Sequence, residues 1–305
     1  KKSANMGHND WIIGFGWDHN KWDEPNFPKA DILNSLPISQ PIMLNRIDGH
    51  SAWVNQKAMD LSGLDVAPIS PDGGDIINDC ILIDNAMNPV QFVIPKPDEA
   101  IVEKWIKLAL KIIIPRGITN IHDAWQDPTT VKILQQLSES GKLPIRIYGM
   151  LGSSHSKLLK HFFKEGIFRS EKYNIRSVKA FIDGALGSRG AALLEPYCDD
   201  INNCGLILIS DKDFKKLAQK CQDAGFQLCT HAIGDRGNKM VLDIYSEFTK
   251  ALNNHRWRIE HAQMICDEDI PQFAKAGIVP SMQPSHCTSD MPWLHDRLGS
   301  NRLHR

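Results

Sequence analysis

The residues of this 305-residue chain best suited to chemistry collect at the ends of short apolar runs. Lys179 and Asp183 lie in SVKAFID, His231 in FQLCTHA and His261 in RWRIEHA; Gln283 ends IVPSMQ, with His286 just beyond. Neutral imidazole is the commonest protein ligand for zinc-like ions, so two such histidines that meet can hold a cation. A lysine is an odd companion, because an ammonium repels cations. Burial disfavours the charged form, however, and a neutral amine can add carbon dioxide to give a carbamate, an anion able to bridge two metals. Each residue also has an ordinary alternative. A lone strand-end histidine serves as well as hydrogen-bonded scaffold, and Lys179 alone as a surface lysine lying along apolar neighbours.

Positioning these groups requires strands, and alternation says which residues face together. Lys179, Phe181 and Asp183 share one face of their run, as do Gln227, Cys229 and His231, and Trp257, Ile259 and His261. Strand patterns at 118–124, 145–150, 177–183, 226–232, 256–262 and 278–283 alternate with helical ones near 98–114, 128–140, 155–165, 211–224, 237–250 and 267–276. Such alternation predicts an α/β fold of βα units around a parallel sheet, with the active site at the C-terminal ends of the strands. Its usual closed form is the (β/α)8 TIM-type barrel, of which these six strands make an incomplete set. A doubly wound sheet is the alternative, although no G-x-G-x-x-G follows the first strand. Residues 1–95 differ: they are rich in Trp and turn formers, with one strand-like run, PIMLNR, and a helical stretch at 53–61 ending before Gly63. They predict a small α+β domain ahead of a barrel portion at 96–305.

Composition narrows the partners. Lys and Arg total 35 against 36 Asp and Glu, which offers no basic stripe for a nucleic acid. The longest aliphatic runs are far below a membrane span, and KKSANMGHND opens the chain without an apolar leader. Seven cysteines without a C-x-x-C pair argue against a disulfide framework and fit a reducing, cytoplasmic setting. The Gly-rich DGALGSRGAA could cradle a phosphate through its amides, but it lacks the Lys-Ser/Thr ending of a P-loop and reads equally as a loop over the mouth.

Taken together, KAFIDGALGSRGAALLEPY, THAIGDRGNKMVLDIY and RIEHAQ resemble signature segments of the amidohydrolase superfamily. They are similar to its third amidohydrolase family, which includes N-substituted formamide deformylases. GFGWDHNKW, MLNRIDGHSAWVNQKAMDLSGL and GITNIHDA resemble the same family in the same order, so the likeness spans almost the whole chain.

The resemblance implies a metal-dependent hydrolase on an eight-stranded barrel, cleaving C–N bonds of non-peptide, amide-like small molecules with a metal-activated water. It implies one or two divalent ions, zinc first among them. Lys179 matches the carboxylated lysine that bridges the metals, and His231 and His261 the ligands ending the fifth and sixth strands. The first ninety-odd residues match a small inserted domain whose His50 region covers the mouth. Asp183, Arg189 and Asp235 match motif positions, and with His50 and Gln283 they are the candidate substrate contacts. A homo-oligomer remains open. The sequence departs from the family in holding no His-x-His pair and in stopping before the strand that carries the proton-shuttling Asp. The expectation is an internal piece of a longer enzyme, running from after strand one to after strand seven and turning over little substrate by itself. The competing reading is a non-catalytic binding protein on a degenerate barrel.

Overall fold

The computed structural model describes residues 10–64, 69–250 and 254–303. Five strands, β1 (Ile12–Trp17), β2 (Ile42–Arg46), β3 (Ser51–Val54), β4 (Gly74–Ile77) and β5 (Ile81–Asp84), form one sheet in the order β1-β2-β3-β5-β4. Only the β1–β2 pair is parallel. Helix α1 (Ala30–Asn34) precedes β2. After β3 comes α2 (Gln56–Ser62), opened by the Asn55 side chain accepting from the Ala58 amide and ended by left-handed Gly63. The helical stretch predicted at 53–61 is therefore corrected. Trp53 and Val54 belong to β3 and are buried, because bulky and β-branched side chains pack well on a sheet.

The second sheet is built from β6 (Asn120–Gln126), β7 (Arg146–Gly152), β8 (Phe168–Arg169), β9 (Tyr173–Phe181), β10 (Gln227–Ala232), β11 (Arg258–His261) and β12 (Val279–Met282). Its order is β12-β11-β10-β9-β7-β6, with the two-residue β8 antiparallel beside β9 and every other pair parallel. These are the six predicted strands. Each lies next to its predecessor, so the winding never reverses as a doubly wound sheet requires. The result is an incomplete α/β barrel. Helices α3 (Asn88–Val93), α4 (Glu99–Ile113), α5 (Pro128–Glu139), α6 (Ser156–Glu165), α7 (Asp211–Asp223), α8 (Asp235–Thr249) and α9 (Ile270–Ala276) accompany the strands. Side chains of Asp98, Asp127 and Ser210 cap α4, α5 and α7 by accepting backbone N–H groups, as helix N-termini require.

A further helix, α10 (Ser285–Leu298), follows β12, where the sequence pattern shows only a polar run with an internal Pro292. It is held by burial of Trp293, Arg297 and Leu298. Trp293 and Leu298 pack with Leu186 and Tyr197 of the long β9–α7 connection and with Ile233 and Met264. That connection thus lies over the strand ends as a packed layer. The main core sits between the parallel sheet and its helices, with Val178, Leu228, Ile259, Phe214 and Tyr245 fully buried.

Candidate active site

Three neighbouring strands aim the functional groups. In register, Lys179 of β9 stands opposite Cys229 of β10, and His261 of β11 opposite Ala232, just beyond His231. All three open on one cavity of about 480 Å³ at the C-terminal ends of the strands. Lys179 is only 4 % exposed. Its Nζ lies 3.9 Å from the Phe181 ring centroid and donates to the Ala180 carbonyl at 3.3 Å. Burial lowers this amine to about 8, so a neutral fraction exists at physiological pH.

His231 is 2 % exposed, and its Nε2 lies 3.1 Å from the Gly184 carbonyl. Nε2 must carry the proton to donate there, which leaves Nδ1 as a lone pair, and that atom is buried without a partner. Burial, then the nearby His50 and Lys179 charges, hold this imidazole well below its ordinary pKa. His261 stands 4.6 Å from His231 between ring centroids, is hydrogen-bonded through Nδ1 to Gln283, and is lowered to about 4, chiefly by burial. Its backbone is left-handed, with φ 75, a costly conformation for histidine that recurs where side chains are held for function.

These groups suit a cation in part. Two neutral imidazoles offer ring lone pairs, and the third group is an amine that can lose its charge. Among the described residues no set of three or more His, Cys, Asp and Glu is arranged to hold a metal. A carbamate on Lys179 would add the anionic donor that two imidazoles lack.

The opposite wall comes from the five-stranded sheet. His50, in the β2–β3 turn, bonds through Nδ1 to Asp84 Oδ1 at 2.6 Å, and its ring centroid is 4.6 Å from that of His231. Burial opposes a charge on His50, but Asp84 and Asp48 outweigh it and raise its pKa. Beside it, Arg46 bonds Asp18 at 2.5 Å and Asp48 at 2.6 Å, while its Nε donates to His19 Nδ1 at 3.3 Å. Sequence reasoning missed Asp84, Arg46, Asp18 and Asp48. The first two lie within or at the end of short strands, and nothing local announces their distant partners.

Of the candidate substrate contacts, His50 and Gln283 line the cavity, whereas Asp183, Arg189 and Asp235 do not. Alternation predicts Asp183 beside Lys179, but β9 stops at Phe181 and Asp183 turns beneath the loop. Its fully buried carboxylate accepts the amides of Ala192, Ile233 and Gly234 at 2.8–3.0 Å. Burial pushes it up to about 7 despite those donors. Arg189 pairs with Asp199, and Asp235 accepts the Leu194 amide at the start of α8. The phosphate-cradle reading of DGALGSRGAA also fails geometrically. Gly184, Arg189, Gly190 and Ala191 donate to carbonyls within the loop, and Ala192 donates to the Asp183 carboxylate, so none of these amides is left for a phosphate.

A singly wound parallel sheet whose strand ends gather a lysine and two imidazoles defines an incomplete α/β barrel with one polar cavity at its strand ends. The chain belongs to the amidohydrolase family, whose profile spans residues 1–305. It is 29% identical to YtcJ of Bacillus subtilis (strain 168) over 314 residues, covering 99% of this chain and 59% of YtcJ. It is 22% identical to an N-substituted formamide deformylase of Arthrobacter pascens over 301 residues, 90% of this chain and 55% of that protein. Among solved structures it superposes on an uncharacterized metal-dependent hydrolase from Pyrococcus horikoshii OT3 with a TM-score of 0.72 at 25% identity, covering 98% of this chain and 59% of that one. The chain therefore spans little more than half the length of these relatives.

Proposed function

We propose that these residues form the metal-holding face of a hydrolase that cleaves C–N bonds in non-peptide, amide-like substrates, with Lys179, His231 and His261 as ligands of a divalent cation, zinc first. The observation that carries this reading is the convergence of a buried amine and two neutral imidazoles on one cavity. When bound, such an ion lowers the pKa of a water towards neutrality and polarises an amide carbonyl. The neutral Lys179 amine adds carbon dioxide, forming an N–C bond and releasing one proton, and becomes the anionic donor. Gly184 and Gln283 fix the orientation of the two imidazoles, since the hydrogen bond on one ring nitrogen decides what the other presents. His50, steadied by Asp84, faces the cavity from the other side and contacts the substrate. The β9–α7 loop, pinned by Asp183, limits water entry.

Metal analysis with hydrolysis assays over N-acyl and N-formyl compounds tests this. In the full-length protein, Lys179→Ala, His231→Ala and His261→Ala should each lower metal content and turnover at least tenfold. Unchanged values in all three would sink the assignment. The second reading, a binding protein without catalysis, draws on the small number of His, Cys, Asp and Glu donors gathered here. It predicts no metal uptake at all.

A further inference from the structure

Helix α10 closes one flank of the cavity that Lys179, His231 and His261 share. His286, Ser289, Asp290 and Trp293 all line it, and their i, i+3, i+4, i+7 spacing is that of a single helix face. Two contacts join this face to the strand ends. The His286 ring stacks on that of His261, 5.6 Å between centroids and 14° between planes. Gln263, just past β11, donates from Nε2 to Asp290 Oδ2 at 2.7 Å. Asp290 is therefore held on the same cavity as the candidate metal ligands without being bonded to any of them.

The carboxylates of this lining are unequally matched. Arg46 answers both Asp18 and Asp48. Lys21 lies 3.7 Å from Asp18 with its side chain 67 % exposed, so its charge is turned to solvent and screened there. The donors on Asp290 are both neutral: Gln263 on Oδ2, and the Ser289 hydroxyl on Oδ1 at 2.9 Å. Among the described residues no Lys or Arg forms an ion pair with it. An ionised carboxylate can accept about four hydrogen bonds, so lone pairs remain. Asp290 is only half-buried, and those lone pairs are open to a ligand.

We propose that Asp290 forms an ammonium subsite, and that the substrate is an amide carrying an alkylammonium group at the end remote from its scissile bond. The ammonium donates to the lone pairs that Gln263 and Ser289 leave free, a charge-assisted bond stronger than a neutral one. A neutral chain would leave the carboxylate without a counterion, and an anionic one would be repelled by it. Calling the ligand a substrate rests on the hydrolase reading above. The subsite does not, since it involves no metal.

Ligand-observed NMR titration of the chelator-treated full-length protein tests the proposal. The probes are N-acetylputrescine, its neutral isostere N-pentylacetamide and the anionic 4-acetamidobutyrate, with zinc uptake and hydrolysis measured on parallel untreated samples. N-acetylputrescine should bind about five- to tenfold more tightly than N-pentylacetamide, and 4-acetamidobutyrate about threefold more weakly than that neutral probe. Asp290→Asn is isosteric at a half-buried position; it should keep native circular dichroism and bring the three probes within about twofold of one another. Asp290→Lys should reverse the order, with 4-acetamidobutyrate the tightest. No binding of N-acetylputrescine, equal affinity for the three probes, or an order unchanged in either variant would overturn the proposal. The stated ranking, lost in Asp290→Asn, in a protein that takes no zinc and hydrolyses no amide would overturn the hydrolase reading and keep the subsite. Zinc uptake with a flat ranking would do the reverse.

Discussion

The two walls of the cavity that Lys179, His231 and His261 share are chemically opposed. The parallel-sheet wall presents groups whose charged forms burial disfavours: Lys179 lowered to about 8, His261 to about 4, and His231 well below its ordinary value, with burial the leading cause in each. The wall from the five-stranded sheet presents ions already paired, with Arg46 between Asp18 and Asp48 and His50 against Asp84. One wall keeps electron pairs available at a cost in stability. The other has spent its charges on one another and is held in place by them. On the proposed reading, a ligand-holding wall and an orienting wall need these opposite designs, since a donor atom committed to a protein partner cannot also bind a cation.

That contrast is broken most severely by removing Arg46. It is 2 % exposed, and truncating it leaves two carboxylates facing each other and His19 without its donor. Arg46→Ala should cost about 3–5 kcal/mol in urea unfolding, because an uncompensated buried charge is the expensive outcome. A cost under about 1 kcal/mol would mean that the network is solvated and does not organise this wall. Lys179→Met makes the opposite test. Replacing a buried amine that folding must desolvate by an apolar chain of similar length should raise the stability of chelator-treated protein by about 1–2 kcal/mol while abolishing metal uptake. A loss of stability would show that Lys179 supports the strand rather than strains it.

His19 gives the contrast a pH signature. Its buried ring stacks on Phe27 at 4.3 Å, and burial, aided by the Arg46 charge, lowers it to about 3. The unfolded chain therefore binds a proton below pH 6.5 that the folded chain refuses down to about pH 3. Stability from this residue is intact above 6.5 and falls as pH drops, by about 1 kcal/mol between pH 6.5 and 5.5. His19→Gln keeps an acceptor for Arg46 and should flatten that part of the profile. An unchanged slope would assign the acid sensitivity elsewhere.

What could be read from sequence divides along the same line. The parallel-sheet wall was legible because its groups sit at the ends of strands, where period-two alternation and the alternation of strands with helices state both the fold and the face. Asp183 shows the limit of that rule. Alternation extended two residues beyond the real end of β9 puts it in the cavity, whereas the chain has already turned to let the carboxylate collect three loop amides. The opposite wall was nearly illegible. Arg46 finds Asp18 and His50 finds Asp84 across 28 and 34 positions of a region whose periodicity is weak. Only His50 was picked out, and through a family resemblance rather than through its own surroundings. α10 was hidden because a polar run with an internal proline carries no helix signal until its few apolar anchors meet the β9–α7 loop.

The smallest predicted effect bears on how far the barrel wall extends. Met282, at the end of β12, pairs in register with His261 yet is 61 % exposed, and β12 stands at the edge of the sheet. If that face meets solvent in the protein, Met282→Thr removes little buried apolar area and should change stability by less than about 0.5 kcal/mol, with metal uptake unaltered. The edge would then be a border of the ligand wall without a share in it. A cost of about 2 kcal/mol would instead mean that Met282 is covered in solution by a neighbouring strand or a second copy pairing with the open edge. In that event the ligand wall would continue past β12, and His261, one strand in, would be an interior residue of a larger sheet.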